Sequence, residues 1–134
     1  MVNSHTLSVA VVDNDDSVSD PIRILIEMHG WRAKTYNSCE SFLAEMRRST
    51  LPDCLVLDLR FPQMSGVELQ RNLTKSGMII PTIVLTAHPD GPLAKSALTA
   101  GALEIVTKPV SSDQLIAKIR TAVSTASSHV ELSQ

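Results

Sequence analysis

The 134-residue chain is sized for one compact domain built around a single core. Its composition, 43% hydrophobic and 19% charged, is that of a globular protein, and 12 Lys and Arg against 14 Asp and Glu leave a formal charge of −2. No basic stripe is present to follow a phosphate backbone, so direct nucleic-acid binding is not expected, and no apolar run of about 18 residues offers a membrane span.

Along the chain, short apolar runs alternate with amphipathic stretches. "MVNSHTLSVAVVDND" at the start lacks the positive leader and apolar region of a signal peptide, so the chain reads as cytoplasmic. "LSVAVV" (7–12) is nearly continuous in apolar residues, as a strand buried on both faces is. The acids Asp15 and Asp16 then suit the start of a helix, where they cap it and favour its positive end. Pro21 would remove a backbone bond from that helix, so its start is expected only near Asp20. "RAKTY" (32–36) is more polar and reads as an edge strand. "NSCESFLAEMRR" (37–48) follows as a helix capped by Asn37 or Ser38, burying Phe42, Leu43 and Met46.

"CLVLDL" (54–59) is a third strand, and "SGVELQRNLTKSG" (65–77) a helix opened by a Ser65–Glu68 capping box and stopped at Gly77. "IIPTIVL" (79–85) reads as a fourth strand. "GPLAKSALTAG" (91–101) is a helix with proline in its first turn, Gly101 at its end, and only small residues (Ala94, Ser96, Ala97, Ala100) to pack. "ALEIV" (102–106) makes the fifth strand. "SSDQLIAKIRTAV" (111–123) is a helix with a weaker Ser-x-x-Gln box and an apolar face of Leu115, Ile116, Ile119 and Val123. From residue 124, "STASSHVELSQ" reads as a polar tail or linker, leaving residues 1–123 as the domain. Alternating strands and helices with short connections imply an α/β fold, a doubly wound five-stranded parallel sheet with helices on both faces. Cys39 and Cys54 are too few and too far apart for a zinc site or a disulfide framework, and read as buried thiols.

In such a sheet the site forms beyond the carboxyl ends of the strands. The first strand delivers Asp13, Asn14, Asp15 and Asp16; the third Asp58; the fourth Thr86; the fifth Lys108. Carboxylates facing a hydroxyl and an ammonium suit a divalent cation and a phosphoryl group. Each residue has a plainer reading: Asp58 as a turn residue, Thr86 as a strand end bonded to backbone, Lys108 as a surface lysine before Pro109. Asp58 follows "LVL" directly, where an unpaired carboxylate is costly without a role.

The acid cluster after the first strand, "D" in "LVLDLRFPQMSGVEL", "T" in "VLTA" and "KP" in "TKPV" occur in order on successive strand ends. In this the chain resembles the CheY-like response-regulator receiver domains over about residues 7–123, and "DLRFPQMSGVEL" with "GPLAKSALTAGA" is similar to the FixJ-type members. The resemblance implies a flavodoxin-like fold with strand order 2-1-3-4-5 and a phosphorylation-controlled switch of two-component signalling, with no enzymatic turnover of a separate substrate. Asp58 would accept the phosphoryl group from a histidine kinase or phosphotransfer protein, with Lys108 paired to it and Thr86 donating to the bound phosphoryl. Mg²⁺ would be held by Asp13, Asn14, Asp58 and the backbone carbonyl of Arg60. A surface spanning residues 91–123 would form a homodimer or partner face.

Two positions depart from the family pattern. Asn14 stands where relatives carry a second metal-site acid, which implies weaker Mg²⁺ binding and slower phosphotransfer unless Asp15 turns inward. Ile105 stands where many relatives carry an aromatic ring that turns inward on activation, so a switch must rely on Thr86 and the 91–101 helix. Arg60 and His88 flank the site as modulators of acyl-phosphate hydrolysis or as plain loop side chains. Two rival readings accompany this one. One is a receiver-fold binding module that works without phosphorylation. The other is a haloacid-dehalogenase-type phosphohydrolase, in which "VVDNDDS" supplies Asp13 as nucleophile and Asp15 as acid/base.

Overall fold

A computed structural model describes residues 6–132, with side chains to residue 125. In chain order the elements are β1 (Ser8–Val12), α1 (Asp16–Met28), β2 (Arg32–Tyr36), α2 (Cys39–Met46), β3 (Cys54–Asp58), α3 (Gly66–Lys75), β4 (Thr82–Thr86), α4 (Pro92–Thr99), β5 (Glu104–Thr107) and α5 (Ser112–Leu132). The strands form one parallel sheet in the order β2-β1-β3-β4-β5, as the resemblance implies. The polar β2 lies at one edge, and the apolar β1, β3 and β4 lie inside.

Because side chains alternate across a strand, each central strand feeds two layers. Val9, Val11, Val56, Ile83 and Leu85 pack with Ile22 and Ile26 of α1 and Leu115, Ile119 and Ala122 of α5. On the other face Ala10, Val12, Leu55 and Leu57 meet Phe42 and Leu43 of α2 and Leu69 and Leu73 of α3. A smaller cluster of Leu59, Val67, Val84 and Ala97 carries α4, with Ile105 partly buried against it. The central strands are thus covered on both faces, which is why they read as continuous apolar runs.

Helix ends follow the local chemistry. Ser65 accepts the Glu68 amide while the Glu68 carboxylate accepts the Ser65 amide, completing the capping box. Ser38 caps α2 by accepting the Ser41 amide, and Ser111 accepts the Gln114 amide, one half of the weaker box. Gly77, at φ +73°, turns the chain out of α3 in the left-handed region that suits glycine.

Two expectations are corrected. The first helix begins at Asp16, with Pro21 inside it. Asp15 is its N-cap, and Pro21 and Ser17 are both exposed, so the carbonyl freed by the missing N–H lies on the solvent side. The last helix, expected over 111–123, is longer: α5 continues to Leu132, because "STASSHVEL" contains no Gly or Pro to stop it. Residues 1–5 and 133–134, parts of the expected leaderless start and polar tail, lie outside the described residues. Among the described residues no helix is long and apolar enough to cross a membrane.

Candidate functional site

Parallel strands in register bring their carboxyl ends to one edge of the sheet. Val12 pairs with Leu57, so the next residues, Asp13 and Asp58, stand at the ends of neighbouring strands. Both carboxylates are buried, Asp13 to 1% exposure and Asp58 to 7%. Lys108 lies beyond β5, two strands from β3, and its long side chain reaches across the end of β4. Its ammonium donates to Asp58 Oδ1 at 2.9 Å and stands 3.5 Å from Asp13 Oδ2. The Lys108 amide donates to the Thr86 carbonyl at 2.8 Å, and the Lys108–Pro109 peptide bond is cis.

This arrangement balances two acids against one cation. Burial raises the Asp13 carboxyl above its ordinary pKa, and the Asp58 charge adds to that. The Asp15 amide, which donates to Asp13 Oδ1 at 2.9 Å, and the Lys108 charge oppose it. For Lys108, burial works against the ammonium. Its hydrogen bond to Asp58 and the charges of Asp58 and Asp13 outweigh burial and raise its pKa.

The remaining residues singled out in the sequence divide sharply. Thr86 is buried at the end of β4, and its hydroxyl accepts the His88 amide at 3.0 Å, tying its own loop; no hydrogen bond joins it to Asp58. Asp15 is the α1 cap: Oδ1 accepts the Ser17 amide at 3.0 Å and the Ser17 hydroxyl at 2.6 Å, bonds that pull its carboxyl below its ordinary value. Asp16 is an exposed first-turn residue of the same helix. Asn14 is exposed and lines a shallow cleft with Glu40, Phe61 and Gln63, without a hydrogen bond to Asp13, Asp58 or Lys108. Arg60 and His88 are exposed loop residues. Among the described residues, no three His, Cys, Asp or Glu side chains group as a metal ion would require. The oxygen donors near one another are the carboxylates of Asp13 and Asp58.

Two supports went unread in the sequence. Gly66 sits under the end of β3, where a Cβ would come 2.5 Å from the Asp58 carbonyl oxygen and 3.0 Å from Leu59 Cα. A glycine at the first position of a helix, a poor place for it by propensity, was the available signal. Glu40 reaches from α2 to accept the Met64 amide at 3.1 Å, steadying the loop after Asp58; nothing in the sequence pairs them. Cys39 lies buried beneath this region, and burial first, with the charges of Glu40, Asp58 and Glu68, pushes its thiol up to about 12. Burial likewise lifts Cys54 to about 12, so both cysteines are inert packing residues.

The family model described as "Response regulator receiver domain" matches residues 9–120. The chain belongs to the response-regulator receiver family. It is 39% identical over 118 residues to the transcriptional regulatory protein FixJ of Rhizobium meliloti (strain 1021), covering 86% of this chain and 56% of FixJ. It is 36% identical over 125 residues to the response regulator protein TmoT of Ectopseudomonas mendocina, covering 93% of this chain and 56% of TmoT. This receiver chain therefore spans about half the length of the curated relatives it matches. Among solved structures, the crystal structure of FixJ-N superposes with a TM-score of 0.82 at 38% identity, covering 90% of this chain and 95% of that one. The FixJ-type resemblance thus extends from short motifs to nearly the whole fold, and the receiver is a signalling module of two-component systems.

Proposed function

We propose that this receiver is a phosphorylation-controlled switch whose acceptor is Asp58, loaded by a histidine kinase or phosphotransfer protein. The observation that carries the reading is the meeting of two buried carboxylates with one lysine at adjoining strand ends. A buried, incompletely neutralised acid cluster is costly, and a fold retains one where charge is used. In the transfer, an Asp58 oxygen bonds to phosphorus as the P–N bond of a phosphohistidine breaks. The imidazole nitrogen keeps the bonding pair, and Asp58 becomes an acyl phosphate. Lys108 exchanges part of its pairing with Asp58 for a phosphoryl oxygen. Thr86 gives up the His88 amide to donate its hydroxyl to the phosphoryl, which draws the 86–91 loop and α4 toward the site.

Mg²⁺ typically takes one or two carboxylates and keeps several waters, and Asp13 with Asp58 meets that need. Asn14, through its amide oxygen, and the Arg60 carbonyl would complete the protein's share. The ion would neutralise charge on the transferring phosphoryl. With an amide at position 14 the site carries less negative charge than one with a third acid, so weaker Mg²⁺ binding is expected. Leu98 and Leu103, exposed to 49% and 43%, give the 91–123 surface the apolar character a homodimer face needs.

The deciding experiment is intact mass after incubation with a small acyl-phosphate donor and Mg²⁺. One added phosphoryl is expected, lost in Asp58→Asn; an adduct only in Asn14→Asp would identify position 14 as limiting. No adduct in either chain would leave the phosphorylation-independent binding module, which the exposed, unengaged Asn14 favours. The phosphohydrolase reading has no support, because the Asp15 carboxylate it needs as acid/base is committed to the α1 cap.

A further inference from the structure

Gln70, on α3, is a polar residue buried to 4% exposure at the seam with α4. Its Nε2 donates to the Ala97 carbonyl at 3.1 Å, while its Oε1 is sealed from water and meets no hydrogen-bond partner among the described residues. Turning the amide over would set its oxygen against the Ala97 carbonyl oxygen and lose that bond, so the orientation with Nε2 toward Ala97 is the one the seam selects. The one bond it does make is redundant for α4, since the Ala97 carbonyl already accepts the Ala102 amide at 3.0 Å. Beside Gln70, a cleft of about 150 Å³ between α3 and the end of α4 is lined by Leu73, Thr74, Thr82, Ala100 and Gly101.

Elsewhere α4 is lightly held. Its N-cap is Gly91, without a side-chain capping bond, and its buried side chains are only Ala94 and Ala97. A stranded buried acceptor costs more than an average intramolecular hydrogen bond returns. Moving α4 away from α3 would open the seam toward the adjoining cleft and hydrate Oε1, while Ala97 keeps its bond to Ala102. We propose that Gln70 is a positioning residue that destabilises the docked position of α4 and so lowers the cost of displacing it. This rests on the phospho-switch reading, in which α4 is the element that moves.

The test is Gln70→Leu in the full chain, with Gln70→Met as the second variant should leucine pack badly. Without phosphodonor, amide exchange over residues 94–101 is expected to slow about fivefold in either variant, with an unchanged or higher unfolding midpoint. A residue that merely clamped α4 would give the opposite sign. Exchange at the parent rate or faster in both variants would overturn the proposal. With acyl-phosphate donor and Mg²⁺, the change in α4 exchange at equal adduct occupancy, read by intact mass, is expected to be several-fold smaller than in the parent. A change as large as the parent's would also overturn it. Absence of an adduct in the parent counts against the phospho-switch reading alone, since the donor-free exchange still decides what Gln70 does to α4.

Discussion

Single side chains at the carboxyl edge of the sheet do unequal work. Gly66 permits the close approach of α3 to the end of β3, and the nearest atom a Cβ would meet is the Asp58 carbonyl oxygen at 2.5 Å, backbone that cannot swing aside. Gly66→Ala gains up to about 1 kcal/mol of helix propensity but forces a backbone shift of the kind that costs about 1–3 kcal/mol. A net loss in urea unfolding is expected, with a displaced Asp58 and slower phosphorylation by intact mass; a stabilised variant would show that the close approach is dispensable. Asp58 and Lys108 were legible because each ends or follows an apolar strand in register. Asp15 was legible as a cap by its position before a helix. Gln70 was not, since a glutamine among helical residues looks solvent-facing until the neighbouring helix is placed against it. Nor was the state of Thr86 legible, because whether its hydroxyl serves its own loop or a phosphoryl group depends on conformation.

Secondary elements were readable to within a few residues wherever burial set the pattern. β1, β3 and β4 were apparent as apolar runs because helices cover both of their faces, and β2 as polar because it is an edge. The failures lie where burial is weak. α1 starts four residues earlier than its proline suggested, since that proline faces solvent, and α5 runs on past Val123 because nothing breaks it. Ile119 of α5 is fully buried among Val9, Val11, Leu85 and Val106 and their neighbours. Ile119→Ala should therefore lower unfolding free energy by about 2–5 kcal/mol in chemical denaturation. The site residues come from other elements, so any loss of phosphorylation should follow the folded fraction. A loss exceeding it would mean that α5 also positions Asp58 or Lys108.

At the scale of the whole molecule, the acid pair couples stability to pH. The Asp13 carboxyl is raised above its unfolded value, so the folded state binds protons more readily there. Its contribution is present at low pH and is lost as pH rises through its folded pKa. Lys108 is also raised, so its contribution holds at neutral pH and is lost only as pH rises through its folded pKa, above the ordinary lysine value. Lys108→Met removes a cation that holds Asp13 down, which moves the Asp13 transition upward. In urea unfolding the variant is expected to go on losing stability as pH rises past the point where the parent's Asp13 contribution is already gone. Equal pH profiles would mean that Lys108 does not control the charge of Asp13. Asp13, Asp58, Thr86 and Lys108 all leave strands, and no helix side chain enters the cluster. The outer faces of all five helices can therefore be rewritten without touching a reacting atom. Such a molecule can be given a new correspondent while its message stays the same.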